Sequence, residues 1–258
     1  MEYALITGAS KGIGKAIAYE LASRGNNLIL AARSEDLLAK ISAEIARKYA
    51  VKVEHFAVDL IEPGAAKKLV DWCTENNYQL NILVNNAGFG LWGSFDKLPL
   101  ERQLASMNLN MSAVVSLTHQ FIPNLRKSKK AYILNVASVA AFLAIPSFSI
   151  YAATKSFLLS FSRSLNLELG RKGIVVSCVC PGSTESEFLE TAGMNDLGKA
   201  ADTFGMSAES VAEIAIRGML KGKTEIIPGL INKVAAGALK LSPRAISERV
   251  AGKIYSKR

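Results

Sequence analysis

Tyr3-Ala4-Leu5-Ile6-Thr7-Gly8-Ala9-Ser10-Lys11-Gly12-Ile13-Gly14 opens the chain with an apolar run that breaks into a glycine turn. A helical pattern follows at once, over about residues 12–24. Glycines at 8, 12 and 14 permit a tight turn, let backbone approach a pyrophosphate and allow a helix to pack closely on a strand. The helix N-terminus then faces the phosphates. The spacing is G-x-x-x-G-x-G rather than G-x-G-x-x-G. It is not the phosphate loop of nucleotide hydrolases either. Ala9 stands at that loop's first glycine, and Ala16 follows Gly14-Lys15 where Ser or Thr is required. Any tight strand-to-helix turn can use such glycines, so the rest of the chain has to supply the chemistry.

Working outward, strand-like apolar runs alternate with amphipathic helical runs. Strands are expected at about 3–7, 27–32, 52–58, 81–85, 131–136, 174–180 and 224–227, and helices near 12–24, 35–49, 63–76, 100–126, 150–170 and 207–221. Ala131–Val136 and Ile174–Cys180 are apolar almost throughout, which suits strands covered on both faces. Right-handed crossovers then give an α/β, doubly wound parallel sheet of about seven strands with helices on both faces. Its ligands lie beyond the strands' carboxyl ends. No linker divides residues 1–258, so one domain is expected. Region 183–206 breaks the rhythm after a strand's carboxyl end, the place for a substrate lid; a surface excursion without function is the plainer reading.

Half of the 258 residues are hydrophobic, enough for a substantial core, and there is no repeat or low-complexity tract. No apolar run approaches the roughly 18 residues of a membrane span. With a first strand read at Tyr3, no signal peptide is expected. Cys73, Cys178 and Cys180 are an odd, sparse set that argues for a reducing compartment, so a cytoplasmic chain is expected. Cys178 and Cys180 form C-x-C with only His55 and His119 to join them. They read as buried structural thiols, and no metal site is expected. Residues 228–258 carry Lys233, Lys240, Arg244, Arg249, Lys253, Lys257 and Arg258 against Glu248, a net +6 of the chain's +9. No nucleic-acid motif accompanies that charge, so no nucleic-acid partner is expected.

Chemistry concentrates at Tyr151 and Lys155, with Ser138 upstream. A Tyr four residues before a Lys on a helix puts both side chains on one face. A cation there favours the phenolate, so the Tyr is expected to exchange protons nearer neutral pH than its reference of about 10. Several further motifs fall in order: Asp59 after the third strand, Asn85-Asn86-Ala87-Gly88 after the fourth, Asn108 within a helix, and Pro181-Gly182 after the sixth. On this ordered set the chain resembles the short-chain dehydrogenases/reductases of the compact branch, over nearly its whole length to about residue 227.

The resemblance implies a Rossmann-type fold and a set of roles. Tyr151 would protonate a nascent alkoxide or deprotonate an alcohol. Ser138 would hydrogen-bond the carbonyl oxygen. Lys155 would bind the nicotinamide ribose, and Asn108 would support a water relaying protons through Lys155. Gly8, Ser10, Lys11, Gly12, Ile13 and Gly14 would line the dinucleotide, Asp59 and Leu60 would meet the adenine, and Asn86, Ala87 and Gly88 would approach its ribose. Pro181, Gly182 and Thr184 would contact the nicotinamide amide, with Ser186 as second choice to Thr184.

Charge argues for NADP(H). NAD sites place an acid after the second strand, but here Leu30-Ala31-Ala32 leads to Arg33 and Ser34. Arg33 suits a 2′-phosphate and Lys11 adds a second cation. Glu35 and Asp36 compete as ribose-binding acids, though they also fit the opening of the next helix. Around the site the loops carry Phe89, Leu91, Trp92, Phe142, Leu143, Ile145, Phe148, Phe188, Leu189 and Met194, which fits a small hydrophobic ketone, aldehyde or 3-oxoacyl substrate. The expectation is therefore an NADPH-dependent carbonyl reductase. The alternatives are a non-catalytic NADP-binding sensor and a redox-neutral enzyme on the same fold. Long helices at about 100–126 and 150–170 resemble those that pair subunits in the family, which implies a homodimer or homotetramer. For the basic C-terminal helical extension three readings stay open: a weak peripheral contact with anionic lipid, an oligomer or lid element, and a solvated helix pair.

Overall fold

The computed structural model describes residues 1–185, 205–241 and 248–249. In chain order these form β1 (Glu2–Thr7), α1 (Gly12–Ser23), β2 (Asn27–Ala32), α2 (Glu35–Tyr49), β3 (Val53–Ala57), α3 (Ala65–Glu75), β4 (Gln79–Asn85) and α4 (Leu100–Met107). A π-turn (Asn108–Ser112) leads into α5 (Ala113–Leu125), β5 (Ala131–Val136), a 3-10 turn (Val139–Phe142), α6 (Ser149–Leu169) and β6 (Ile174–Val179). The short β7 (Thr184–Glu185) and β8 (Met206–Ser207) precede α7 (Ala208–Leu220), β9 (Glu225–Ile226) and α8 (Leu230–Leu241).

Seven strands make one parallel sheet in the order β3-β2-β1-β4-β5-β6-β9. The order reverses between β1 and β4, and that switch point opens a crevice beyond their carboxyl ends. Each central strand is buried on both faces. One core packs α1, α2 and α7 on the sheet through Ile17, Leu21, Leu38, Ile45, Ala212 and Ile216. The other packs α3 and α5 through Leu69, Leu117, Phe121 and Leu125. α6 covers β6 and runs against the 3-10 turn.

The expected strands and helices are present within a few residues. Two features differ. The helix expected over 100–126 is interrupted, because the backbone widens to an i→i+5 bond between Asn108 and Ala113. A second, two-stranded parallel sheet joins Thr184–Glu185 to Met206–Ser207, bracketing the region read as a lid. Residues 186–204, with Ser186, Phe188, Leu189 and Met194, lie outside the described residues.

Candidate active site

The glycine turn is built as the sequence requires. Gly8 and Gly12 take φ of +65° and +52°, a region that disfavours any Cβ. A Cβ on Gly8 would come within 2.8 Å of the Asn86 amide nitrogen and 2.9 Å of the Ala87 Cα. A Cβ on Gly14 would overlap the Gly8 carbonyl and the Asn86 amide. Asn86 holds the turn from the other side. Its Nδ2 donates to the carbonyls of Thr7 (3.0 Å) and Gly8 (3.1 Å). Thr7 Oγ1 donates to the Val84 carbonyl and accepts from the amides of Asn86 and Ala87. The turn and the start of the Asn86–Gly88 segment are thus one unit across the switch point, and the N-terminus of α1 opens on the crevice. Lys11 and Arg33 are exposed on its rim, beside Ser34. Glu35 and Asp36 occupy the first turn of α2, where the helix dipole favours them, and Glu35 pairs with His55 at 3.0 Å. Asp59 Oδ1 accepts from the Ile61 amide at 3.0 Å, closing a turn after β3. Leu60 is buried in the α3–α5 core.

At the other end of the crevice, β5 and the N-terminal half of α6 bring Ser138, Tyr151 and Lys155 together. Ser138 has extended backbone after β5, and its Oγ accepts from the Ala140 amide at 3.1 Å, starting the 3-10 turn. Tyr151 is 7% exposed and Lys155 5%. Lys155 Nζ donates to the Val136 carbonyl at 2.8 Å and lies 5.5 Å from the centre of the Tyr151 ring. Burial pushes the Tyr151 hydroxyl up to about 12, although a hydrogen bond from Ser138 opposes the rise. Burial lowers the Lys155 ammonium to about 8. The expectation that Lys155 would draw Tyr151 toward its phenolate is therefore overturned for the chain alone. Desolvation is the leading cause of both shifts.

The structure also corrects Asn108. That side chain is exposed, whereas Asn110 is fully buried. Asn110 Nδ2 donates to the Phe89 carbonyl (3.0 Å) and to Thr154 Oγ1 (3.1 Å), while its Oδ1 accepts from the Phe89 amide (3.1 Å). Thr154 in turn donates to the Tyr151 carbonyl at 2.8 Å. A Cβ on Gly88 would sit 2.8 Å from Asn110 Oδ1 and 3.5 Å from Lys155 Nζ. Asn110, Gly88 and Lys155 thus share one corner of the crevice. Residues two apart on a helix point roughly 200° apart, so only one of the two asparagines can face inward. A signal for the right one was available: Gln103, Ser106, Asn110, Ala113 and Leu117 form the buried stripe of this helix pair, and Asn108 is off it.

An apolar wall stands over Tyr151. Phe148 stacks on its ring with centroids 4.3 Å apart and planes at 23°, and Trp92 meets Phe148 edge-on at 5.7 Å. Ile145 and Leu143 complete this cluster. Gly90 is required for the stack, since a Cβ there would lie 2.7 Å from the Phe148 ring. Phe142 packs with Phe157, Phe161, Cys178 and Cys180 behind α6. Pro181 is tied to the site by the bond from the Val139 amide to its carbonyl (2.8 Å). Thr184 is buried and donates to the Gly182 carbonyl at 3.3 Å. All three cysteines are buried and free, and no metal-ligating cluster occurs among the described residues.

A doubly wound sheet with a glycine turn at its switch point and a Ser–Tyr–Lys cluster beside it defines a Rossmann-type oxidoreductase. The family model described as short chain dehydrogenase matches residues 2–197, and the chain belongs to that family. It is 34% identical to the human very-long-chain 3-oxoacyl-CoA reductase over 70% of its own length, but spans only 58% of that protein. It is 30% identical to the human 17-beta-hydroxysteroid dehydrogenase type 3, over 94% of this chain and 76% of that one. Among solved structures, a short-chain dehydrogenase from Sphingobium yanoikuyae in complex with NADPH superposes with a TM-score of 0.84 at 31% identity, covering 100% of this chain and 96% of the other.

Proposed function

We propose that the protein reduces the carbonyl of a hydrophobic substrate with NADPH, and that Tyr151 supplies the proton. The observation that carries this reading is a tyrosine buried beside Ser138 and Lys155, under a wall of Phe148, Trp92, Leu143 and Ile145. A hydroxyl held up near 12 keeps its proton across the neutral range. That is the form needed to donate to an alkoxide as it forms. Ser138 directs a second donor at the same oxygen, and both act where burial strengthens them. Asn110, through Phe89 and Thr154, holds the segment and the helix that carry Gly88 and Tyr151.

The residues present fit the cofactor. The turn at Gly8–Gly14 is packed tightly on the Asn86–Ala87 segment, with the N-terminus of α1 behind it, where a pyrophosphate would be held. Arg33 and Lys11 offer cations to a 2′-phosphate, and Glu35 is engaged with His55 at the helix start. When bound, reduced nicotinamide supplies the hydride. The relatives named above act, by their names, on 3-oxoacyl thioesters and hydroxysteroids, which supports an apolar carbonyl compound or its alcohol. Exposed Leu104, Val115 and Leu167 on α4, α5 and α6 support a homodimer or homotetramer through these helices.

The test is the initial rate of NADPH oxidation against ketones, aldehydes and 3-oxoacyl thioesters of graded chain length, with Tyr151→Phe alongside. Turnover should rise with apolar chain length and fall roughly 10²–10⁴-fold in the variant. Equal efficiency with NADH, or an NADPH preference unchanged in Arg33→Ala, refutes the cofactor assignment. Unconsumed but tightly bound NADPH with every substrate favours the sensor reading.

A further inference from the structure

Helix α8 is amphipathic in the wrong sense for a helix that completes a core. Its inward face is Asn232, Ala236 and the half-buried Leu239, at i, i+4 and i+7. Asn232 Nδ2 donates to the Pro228 carbonyl at 2.9 Å, and its amide lies where a Cβ on Gly182 would be, 2.5 to 2.8 Å away. The helix is thereby wedged between the Pro181–Gly182 turn and the 3-10 turn that follows Ser138. Its outward face is Ile231, Val234, Ala235 and Ala238, at i, i+3, i+4 and i+7, with Leu230 beside it. Leu230, Ile231 and Val234 are 77%, 70% and 65% exposed. Three large aliphatic side chains on two adjacent turns are thus in water, while Asn232, Ala236 and the half-buried Leu239 face the protein.

We infer that this face docks on an anionic membrane surface and sets the mouth of the substrate crevice against the bilayer. Charge selects the occupant. Lys233 lies on the same exposed helix, and the chain from Pro228 onward carries a net +6. An apolar stripe on a cationic segment is what partitions into the interfacial region of anionic lipid, the stripe among the acyl chains and the cations at the headgroups. A second copy of this chain would bring like charge against like charge. Position explains the use: α8 borders the Pro181–Gly182 and Ser138–Phe142 segments, so a lipid-soluble carbonyl compound could reach the crevice without crossing water. This last consequence rests on the proposed reductase activity; the docking does not.

The full-length protein is tested by co-sedimentation with vesicles of phosphatidylcholine alone and with about 30% phosphatidylserine. Binding should be strong only to the anionic vesicles and weaken with salt. The triple variant Leu230→Glu, Ile231→Glu, Val234→Glu should bind at least ~10-fold more weakly, and the single Val234→Glu should lose part of the affinity. NADPH oxidation with a water-soluble ketone should be unchanged in both, which reports the reductase reading separately. Wild type that ignores anionic vesicles overturns the inference, as does a triple variant that binds as well as wild type. Conversion of a wild-type oligomer to a smaller species by the triple variant would assign the face to a second copy instead and equally overturn it.

Discussion

Lys155 buries an ammonium whose hydrogen bond goes to the neutral Val136 carbonyl, and the cost of doing so is measurable. Its pKa falls from 10.5 to about 8 on folding, with burial the leading cause. One unit is worth about 1.4 kcal/mol, so the penalty on the charged form is about 3 kcal/mol. The sign follows from proton counts. Below pH 8 both folded and unfolded chains hold the proton, and the fold carries the whole penalty. Between about 8 and 10.5 the folded chain binds fewer protons than the unfolded one, so stability rises with pH; above 10.5 nothing more is gained. Lys155→Met keeps the aliphatic stem and removes the titration. The stability of wild type minus that of the variant should therefore increase by roughly 2–3 kcal/mol between pH 7 and pH 10, whatever the loss of the Val136 hydrogen bond contributes at both ends. Urea unfolding followed by Trp72 and Trp92 fluorescence measures it. Both chains should carry Cys178→Ala, because that thiol is lowered, chiefly by a hydrogen bond with Cys180 and in smaller part by the charge of Lys155. A difference that stays constant to within about 0.5 kcal/mol over this range would refute the burial argument.

Asn110→Leu should leave the Phe89 amide without its partner and take one of two donors from the Phe89 carbonyl, costing about 2–3 kcal/mol in thermal unfolding and lowering kcat. Asn108→Leu, on the exposed side, should change stability by no more than about 0.5 kcal/mol; the reverse ranking would restore Asn108. Gly90→Ala should push Phe148 off Tyr151, destabilising the chain by about 1–3 kcal/mol and reducing kcat/KM for bulky ketones more than for small ones. An unaltered substrate profile would show that the wall does not shape the pocket.

The sequence by itself determined the sheet, its parallel order of strands and helices, and the glycine turn, because these depend on patterns short enough to read locally. Strands apolar on both faces need helices on both sides, and glycines at 8, 12 and 14 mark a tight turn that runs from strand into helix. Tyr151 and Lys155 were legible for the same reason: four residues along a helix is one face. Tertiary structure decided what no local pattern contains. The widened turn at Asn108–Ser112 and the backbone of Phe89 put Asn110 into the crevice and Asn108 outside it. Tyr151 and Lys155 are adjacent, as their spacing says. Whether their attraction or their desolvation prevails depends on how much chain covers them, and only the folded α6, β5 and 3-10 turn supply that cover. The same holds for α8. Its helical spacing of apolar residues is plain in the sequence, but which stripe faces water was set by the wedge of Asn232 against Gly182, a contact between residues fifty positions apart.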